Sequence, residues 1–217
     1  MIICVVDSGI DEQKAFDTSM CIKSYTEIIN GFDGDCSCLS VTEYHYKDII
    51  KGALYPGVEK VLRDFHGHGT MVTEIIHSIY PHNEYHIINI LDENKSGYEE
   101  CFIEALKKCI TIKPDVINLS LGSFSEYYKE QLFQLTLDAV NQGILVVSSA
   151  SSIPSYPAYF DHVVTIANEK FKNVNGSDFE SVNCYMPNSY FPWPGEIEDT
   201  SSAAAVFTGR VSLYHGG

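Results

Sequence analysis

The sequence predicts an α/β fold, with a mostly parallel central sheet and helices packed on both faces. Short apolar runs recur along the chain, and the segments between them repeat their apolar residues at helical spacing. Glycine and proline fall where one kind of segment hands over to the other. At 217 residues the chain can bury one full core, so residues 1–217 are read as a single domain. A content of 45% hydrophobic and 20% charged residues excludes a disordered chain.

Ile2–Val6 is an uninterrupted apolar run of the kind that forms a strand buried on both faces. His86–Leu91, Val116–Leu119, Ile144–Ser148 and Val163–Ala167 are read as further strands. Between them, Met71, Val72, Ile75, Ile76 and Ile79 mark one helix. Phe102, Leu106 and Ile110 mark a second, and Leu132, Leu135 and Ala139 a third. Pro114 punctuates the end of the second, and Gly143 sits where the third gives way to a strand. The stretch from about Gly31 to Arg63 has no clear period and reads as an insertion. The stretch from about Asn168 to Glu198 reads as loop-rich, with Asn175-Gly176 as a turn.

A net charge of −15 argues against nucleic-acid partners and anionic membrane surfaces, both of which need Lys and Arg to meet phosphate. No apolar run reaches the length of a membrane span. Seven cysteines, an odd number in a chain of this size, predict free thiols rather than a disulfide framework. Cys36-Ser-Cys38 lacks the spacing of a zinc knuckle, and Asp33-Gly34-Asp35 offers too few oxygens for calcium. No metal or cofactor is expected. Met1 leads straight into the first strand with no signal-like segment, so a cytoplasmic protein without a propeptide is expected.

Three short segments carry reactive side chains. Asp7 follows the first strand, where open α/β sheets bind their ligands. An Asp there can also merely close a turn. His68 stands at the start of an amphipathic helix in Phe65-His66-Gly67-His68-Gly69-Thr70, with His66 as a rival base. Ser201 begins a run of small residues, Ser201-Ser202-Ala203-Ala204-Ala205, that suits a closely packed helix with the serine at its positive end. A serine is a weak nucleophile until an imidazole takes its proton, and a carboxylate on the other ring nitrogen fixes the tautomer.

In this order, Asp7-Ser8-Gly9, His68-Gly69-Thr70 and Asp199-Thr200-Ser201-Ser202-Ala203 resemble the motifs of the subtilisin family of serine peptidases. The resemblance implies a subtilisin-like three-layer fold, with Asp7, His68 and Ser201 as a catalytic triad. It further implies that Ser120, Leu121 and Gly122 line the first specificity pocket with Ser149, Ala150 and Ser151, and that Ser155 stands at its base. Ser96 and Gly97 would flank the substrate from the other side. The matching turn in the family implies a cis Tyr156–Pro157 bond. The substrate would be a peptide or precursor protein, cleaved by a narrowly specific processing endopeptidase.

The sequence departs from the family pattern in ways that bear on activity. The family's oxyanion Asn is absent, and Ser152 falls at that position, with Thr200 as a helper. Asp199 replaces a glycine and would oppose the developing oxyanion if it pointed inward. Roughly thirty extra residues separate Asp7 from His68, and the C-terminal elements are truncated. These departures give the alternative expectation, a catalytically impaired relative that binds peptides or acts as a scaffold. The inserted stretch, with Tyr44, His45, Tyr46 and Tyr55, is expected to contact substrate. The pocket is expected to be shallow, since Ser155 fills its base.

Overall fold

The computed structural model describes residues 1–33, 36–54, 60–93, 97–151, 153–169, 182–186 and 199–215; side chains are described for these except at 31–33, 36–37 and 51–54. Among the described residues the strands are β1 (Ile2–Asp7), β2 (Cys21–Asp33), β3 (Cys36–His45), β4 (Glu84–Asn89), β5 (Val116–Leu119), β6 (Leu145–Ser149), β7 (Val164–Asn168) and β8 (Cys184–Met186). The helices are α1 (Glu12–Asp17), α2 (Tyr46–Leu54), α3 (His68–Ile79), α4 (Glu99–Ile112), α5 (Lys129–Asn141) and α6 (Thr200–His215).

The strands form one sheet in the order β3-β2-β4-β1-β5-β6-β7-β8, parallel throughout except for the β2–β3 pair. β1 lies between β4 and β5, so the chain crosses over it and the winding reverses there. Such a switch point opens a crevice at the carboxyl ends of the strands, and Asp7 stands at that end of β1.

Two apolar cores cover the sheet. Ile3, Val5, Tyr85 and Ile87 meet α3 and α6 through Val72, Ile75, Ile76 and Ala203–Val206. Cys4, Val6, Ile88 and Ile117 meet α4 and α5 on the other face through Phe102, Leu106, Leu132 and Ala139. Alternate residues of β1 thus serve opposite cores, as a two-sided buried strand requires. The small residues of α6 let it approach α3 closely. A Cβ placed on Gly209 would come within 2.9 Å of the Ile79 side chain and 3.2 Å of Ile76 O.

The stretch read as an aperiodic insertion contains ordered structure. It holds the end of β2, all of β3 and α2. β2 escaped the sequence reading because its register shifts between Ile22 and Ser24. That irregularity breaks the period of two, leaving Ser24, Tyr25 and Thr26 buried in succession. β2 keeps pairing with β4 only as far as Glu27, opposite Asn89, and then continues with β3 alone to Asp33. This hairpin therefore projects about 20 Å past its β4 neighbour, on the side of the sheet where Asp7 lies. The turn at Asn175-Gly176 lies outside the described residues.

Candidate active site

Asp7 is 1% exposed, and its Oδ1 accepts hydrogen bonds from His68 Nδ1 and Ser8 N, both at 2.7 Å. His68 is the first residue of α3, delivered there by Gly67 in the left-handed region at φ 74°. The hydrogen bond to Asp7 raises the His68 pKa against the opposing effect of burial, and the negative charges of Asp7, Asp199 and Asp64 raise it further. His66 takes no part in this pairing, because its Nε2 lies 2.7 Å from Asp92 O, where it donates.

A carboxylate that the sequence reading passed over holds this half together. Asp64 Oδ1 accepts from Ser8 Oγ (2.8 Å), His66 N (3.0 Å) and Gly67 N (2.8 Å). Its Oδ2 accepts from Thr70 N (2.8 Å) and Thr70 Oγ1 (2.6 Å). Burial alone would push this carboxyl up, but the bonds from Thr70, Ser8 and His66 outweigh it and hold the pKa below the usual value. Ser8 Oγ in turn accepts from Gly69 N, and Thr70 Oγ1 from Asp11 N. The two motifs are thereby tied to each other. Their glycines permit the contact, since a Cβ on Gly69 would sit 2.3 Å from Gly9 O. The signal available in the sequence was an Asp four residues before His68, at the entry to a helix whose first N–H groups need acceptors.

Ser201 occupies the second position of α6 and is 9% exposed. Its hydroxyl donates to Ser120 O at 3.4 Å, and no hydrogen bond joins it to His68. The Ser201 N–H lies in the first turn of the helix, where backbone donors lack intrahelical acceptors. Asp199, which the sequence reading set against an oxyanion if it pointed inward, has a bonded role at the helix start. Its Oδ1 accepts from Ser202 N at 2.7 Å, which makes it the cap of α6.

A cavity of about 590 Å³ opens beside Ser201 and Thr200. Ser120, Leu121 and Gly122 line it, as do Ser149, Ala150, Ser151 and Gly97. Ser155 also lines it, 96% shielded from solvent, with its Oγ 3.2 Å from where a Gly122 Cβ would be. The residue after Gly122 is anchored by paired backbone bonds, Ser123 N to Tyr156 O and Tyr156 N to Ser123 O, each 2.8 Å. The Tyr156–Pro157 bond is cis, as expected. Ser96 and Ser152 lie outside the described residues. Tyr98, Glu99, Phe102 and Phe124, which the sequence reading did not select as site residues, also line the cavity.

Among the described residues no group of three or more His, Cys, Asp or Glu side chains is placed to hold a metal ion. Cys4, Cys21, Cys38, Cys101, Cys109 and Cys184 are free thiols. No described helix is long and apolar enough to cross a membrane.

Residues 1–214 match the Subtilase family, and the chain belongs to it. It is 27% identical over 188 residues to the major intracellular serine protease of Bacillus subtilis (strain 168), covering 72% of this chain and 57% of that protein. The chain thus spans little more than half the length of that relative. In structure it is similar to a lanthipeptide protease, with a TM-score of 0.67 and 17% identity over 100% of this chain and 75% of the other. It is also similar to the epidermin leader peptide processing serine protease of Staphylococcus aureus, with a TM-score of 0.57 and 17% identity over 77% of this chain and 46% of that one.

Proposed function

We propose that the chain is a serine endopeptidase that cleaves a peptide or precursor-protein substrate through an acyl-enzyme. The observation that carries this reading is the buried Asp7 bonded to His68 Nδ1 at 2.7 Å, with Ser201 opening on the adjoining cavity. With its Nδ1 proton held by Asp7, His68 presents Nε2 as the base. In the proposed reaction the Ser201 hydroxyl must leave Ser120 O and turn to that nitrogen. Oγ then attacks the substrate carbonyl as its proton passes to His68, and the imidazolium returns the proton to the leaving amine. Water repeats the cycle to release the acyl group.

The negative charge on the carbonyl oxygen would be met by the Ser201 N–H, by Thr200 and by Ser152 in place of the family's asparagine. Ser120–Gly122 would pair with the substrate backbone, while Ser96 and Gly97 flank it. The first specificity pocket, floored by Ser155, would take small or medium apolar residues. The β2–β3 hairpin is proposed to guide one substrate past the cleft, which suits a narrowly specific processing enzyme. Tyr46, 53% exposed, is available for that contact, whereas Tyr44 packs against Tyr25 with ring centroids 6.4 Å apart. Tyr55 lies outside the described residues. A cytoplasmic site of action accords with the free thiols and with the likeness to an intracellular protease of Bacillus.

The bond from Ser201 to Ser120 O favours a second reading, an impaired relative that binds peptides without cutting them. A fluorophosphonate probe separates the two. Attack by Oγ forms an O–P bond and expels fluoride, so the wild type is expected to label and Ser201→Ala is not. A wild type that binds peptides yet never labels would support the second reading.

A further inference from the structure

We propose that Glu99 is a specificity determinant that selects a lysine or arginine side chain in the part of the substrate before the scissile bond. The inference rests on the peptidase reading and adds a substrate class to it. Glu99 is the first residue of α4, half-buried, and is the only charged residue among the described residues that line the 590 Å³ cavity. Its Oε1 accepts from Ser123 Oγ at 3.2 Å, and Ser123 is itself fixed by two backbone bonds to Tyr156. The carboxylate is thus held in place. Among the described residues its Oε2 has no hydrogen-bond or ion-pair partner, so an acceptor with a full negative charge remains available to an incoming cation.

The surroundings suit a long, flexible, positively charged side chain. Phe102 and the exposed rings of Tyr98 and Phe124 line the same cavity. They offer apolar surface to the methylene stem of Lys or Arg and a ring face to its charge. Arginine adds a planar donor fork that matches a carboxylate edge. A carboxylate here would repel an acidic side chain, and a neutral one would leave the negative charge uncompensated in a partly desolvated wall. Ser123 lies three residues beyond Ser120, which accepts from Ser201, so its backbone stands within about 10 Å of that of Ser120. An extended substrate covers such a span in about three residues.

The test uses N-acetylated peptides identical except for Arg, Lys, norleucine or Glu at each of the four positions before the scissile bond. At one position, kcat/KM for Arg or Lys is expected to exceed that for norleucine by roughly ten- to a hundredfold. Glu99→Gln keeps an acceptor for Ser123 but should collapse that ratio toward one. Glu99→Lys should invert the preference in favour of the Glu peptide. Dissociation constants of the same peptides for Ser201→Ala read the preference without turnover, and should rank Arg and Lys ahead of norleucine. A wild type that shows no basic preference in either measurement overturns the proposal, as does a folded Glu99→Gln variant that keeps it. Failure of Ser201 to label while the binding preference persists would sink the peptidase reading and leave Glu99 as a selector.

Discussion

The two halves of the proposed catalytic apparatus are held in different ways. On the base side, Asp7, Asp64 and His68 sit in a knot of short hydrogen bonds, five of them converging on Asp64 alone. On the nucleophile side, Ser201 has one bond of 3.4 Å to a backbone carbonyl, and its helix is capped by Asp199. The first half is fixed by polar bonds at the site itself. The second is fixed at a distance, by the packing of α6 on α3 and the sheet. The two halves should therefore fail differently when altered.

The largest effect is expected from Asp7→Asn. The amide cannot accept from His68 Nδ1 in the way the carboxylate does, so the imidazole takes the wrong tautomer. A fall in kcat of about 10⁴ is expected with little change in peptide binding. Single-turnover kinetics would measure it, and a drop of less than tenfold would show that the base side is not the working half.

Asp64→Asn should come next. Its new NH₂ group cannot accept from Thr70 N and Oγ1, which leaves two donors without a partner. Thermal or denaturant unfolding should show a loss of about 1–3 kcal/mol. Misplacement of His68 should slow acylation roughly ten- to a hundredfold. Unchanged kcat in a destabilised variant would make the knot purely structural.

The smallest effect concerns pH. His68 must be neutral to act as a base, and its pKa is raised, chiefly by the bond to Asp7. The acid limb of kcat/KM is therefore expected above the ordinary histidine value of 6.5. Asp199→Asn keeps a capping side chain but removes a negative charge that favours the imidazolium. The limb should move to lower pH, and 1 M salt should shrink the movement. A limb that does not move would confine the role of Asp199 to capping α6.

The sequence showed the two halves unequally. Asp7, His68 and the five strands read from it were visible because Asp7 ends an apolar run and His68 opens a helix of clear period. The cap formed by Asp199 was not, since a carboxylate before a serine reads as hostile to an oxyanion until its bond to Ser202 N is seen. Asp64 was hidden because its partners are mostly backbone N–H groups, which leave no mark on residue type. Glu99 and Phe102 lie on one cavity wall only because α4 starts where it does, three residues apart on the same helix face. β2 was missed where the register shift erased the alternation.

Gly209 gives the α3–α6 contact the character of a fulcrum. It lies eight residues from Ser201 along α6, a lever arm of about 12 Å. Its partner there, Ile79, ends the same helix that His68 begins. A tilt of about 5° at that crossing would carry the Ser201 backbone roughly 1 Å, a displacement that can change a rate about a hundredfold. The proposed base and nucleophile are thus spaced by a gauge block one atom thick, set at the far end of α3 and midway along α6. Substitutions at this apolar crossing are expected to tune or silence the proposed activity while Asp7, His68 and Ser201 stay unchanged.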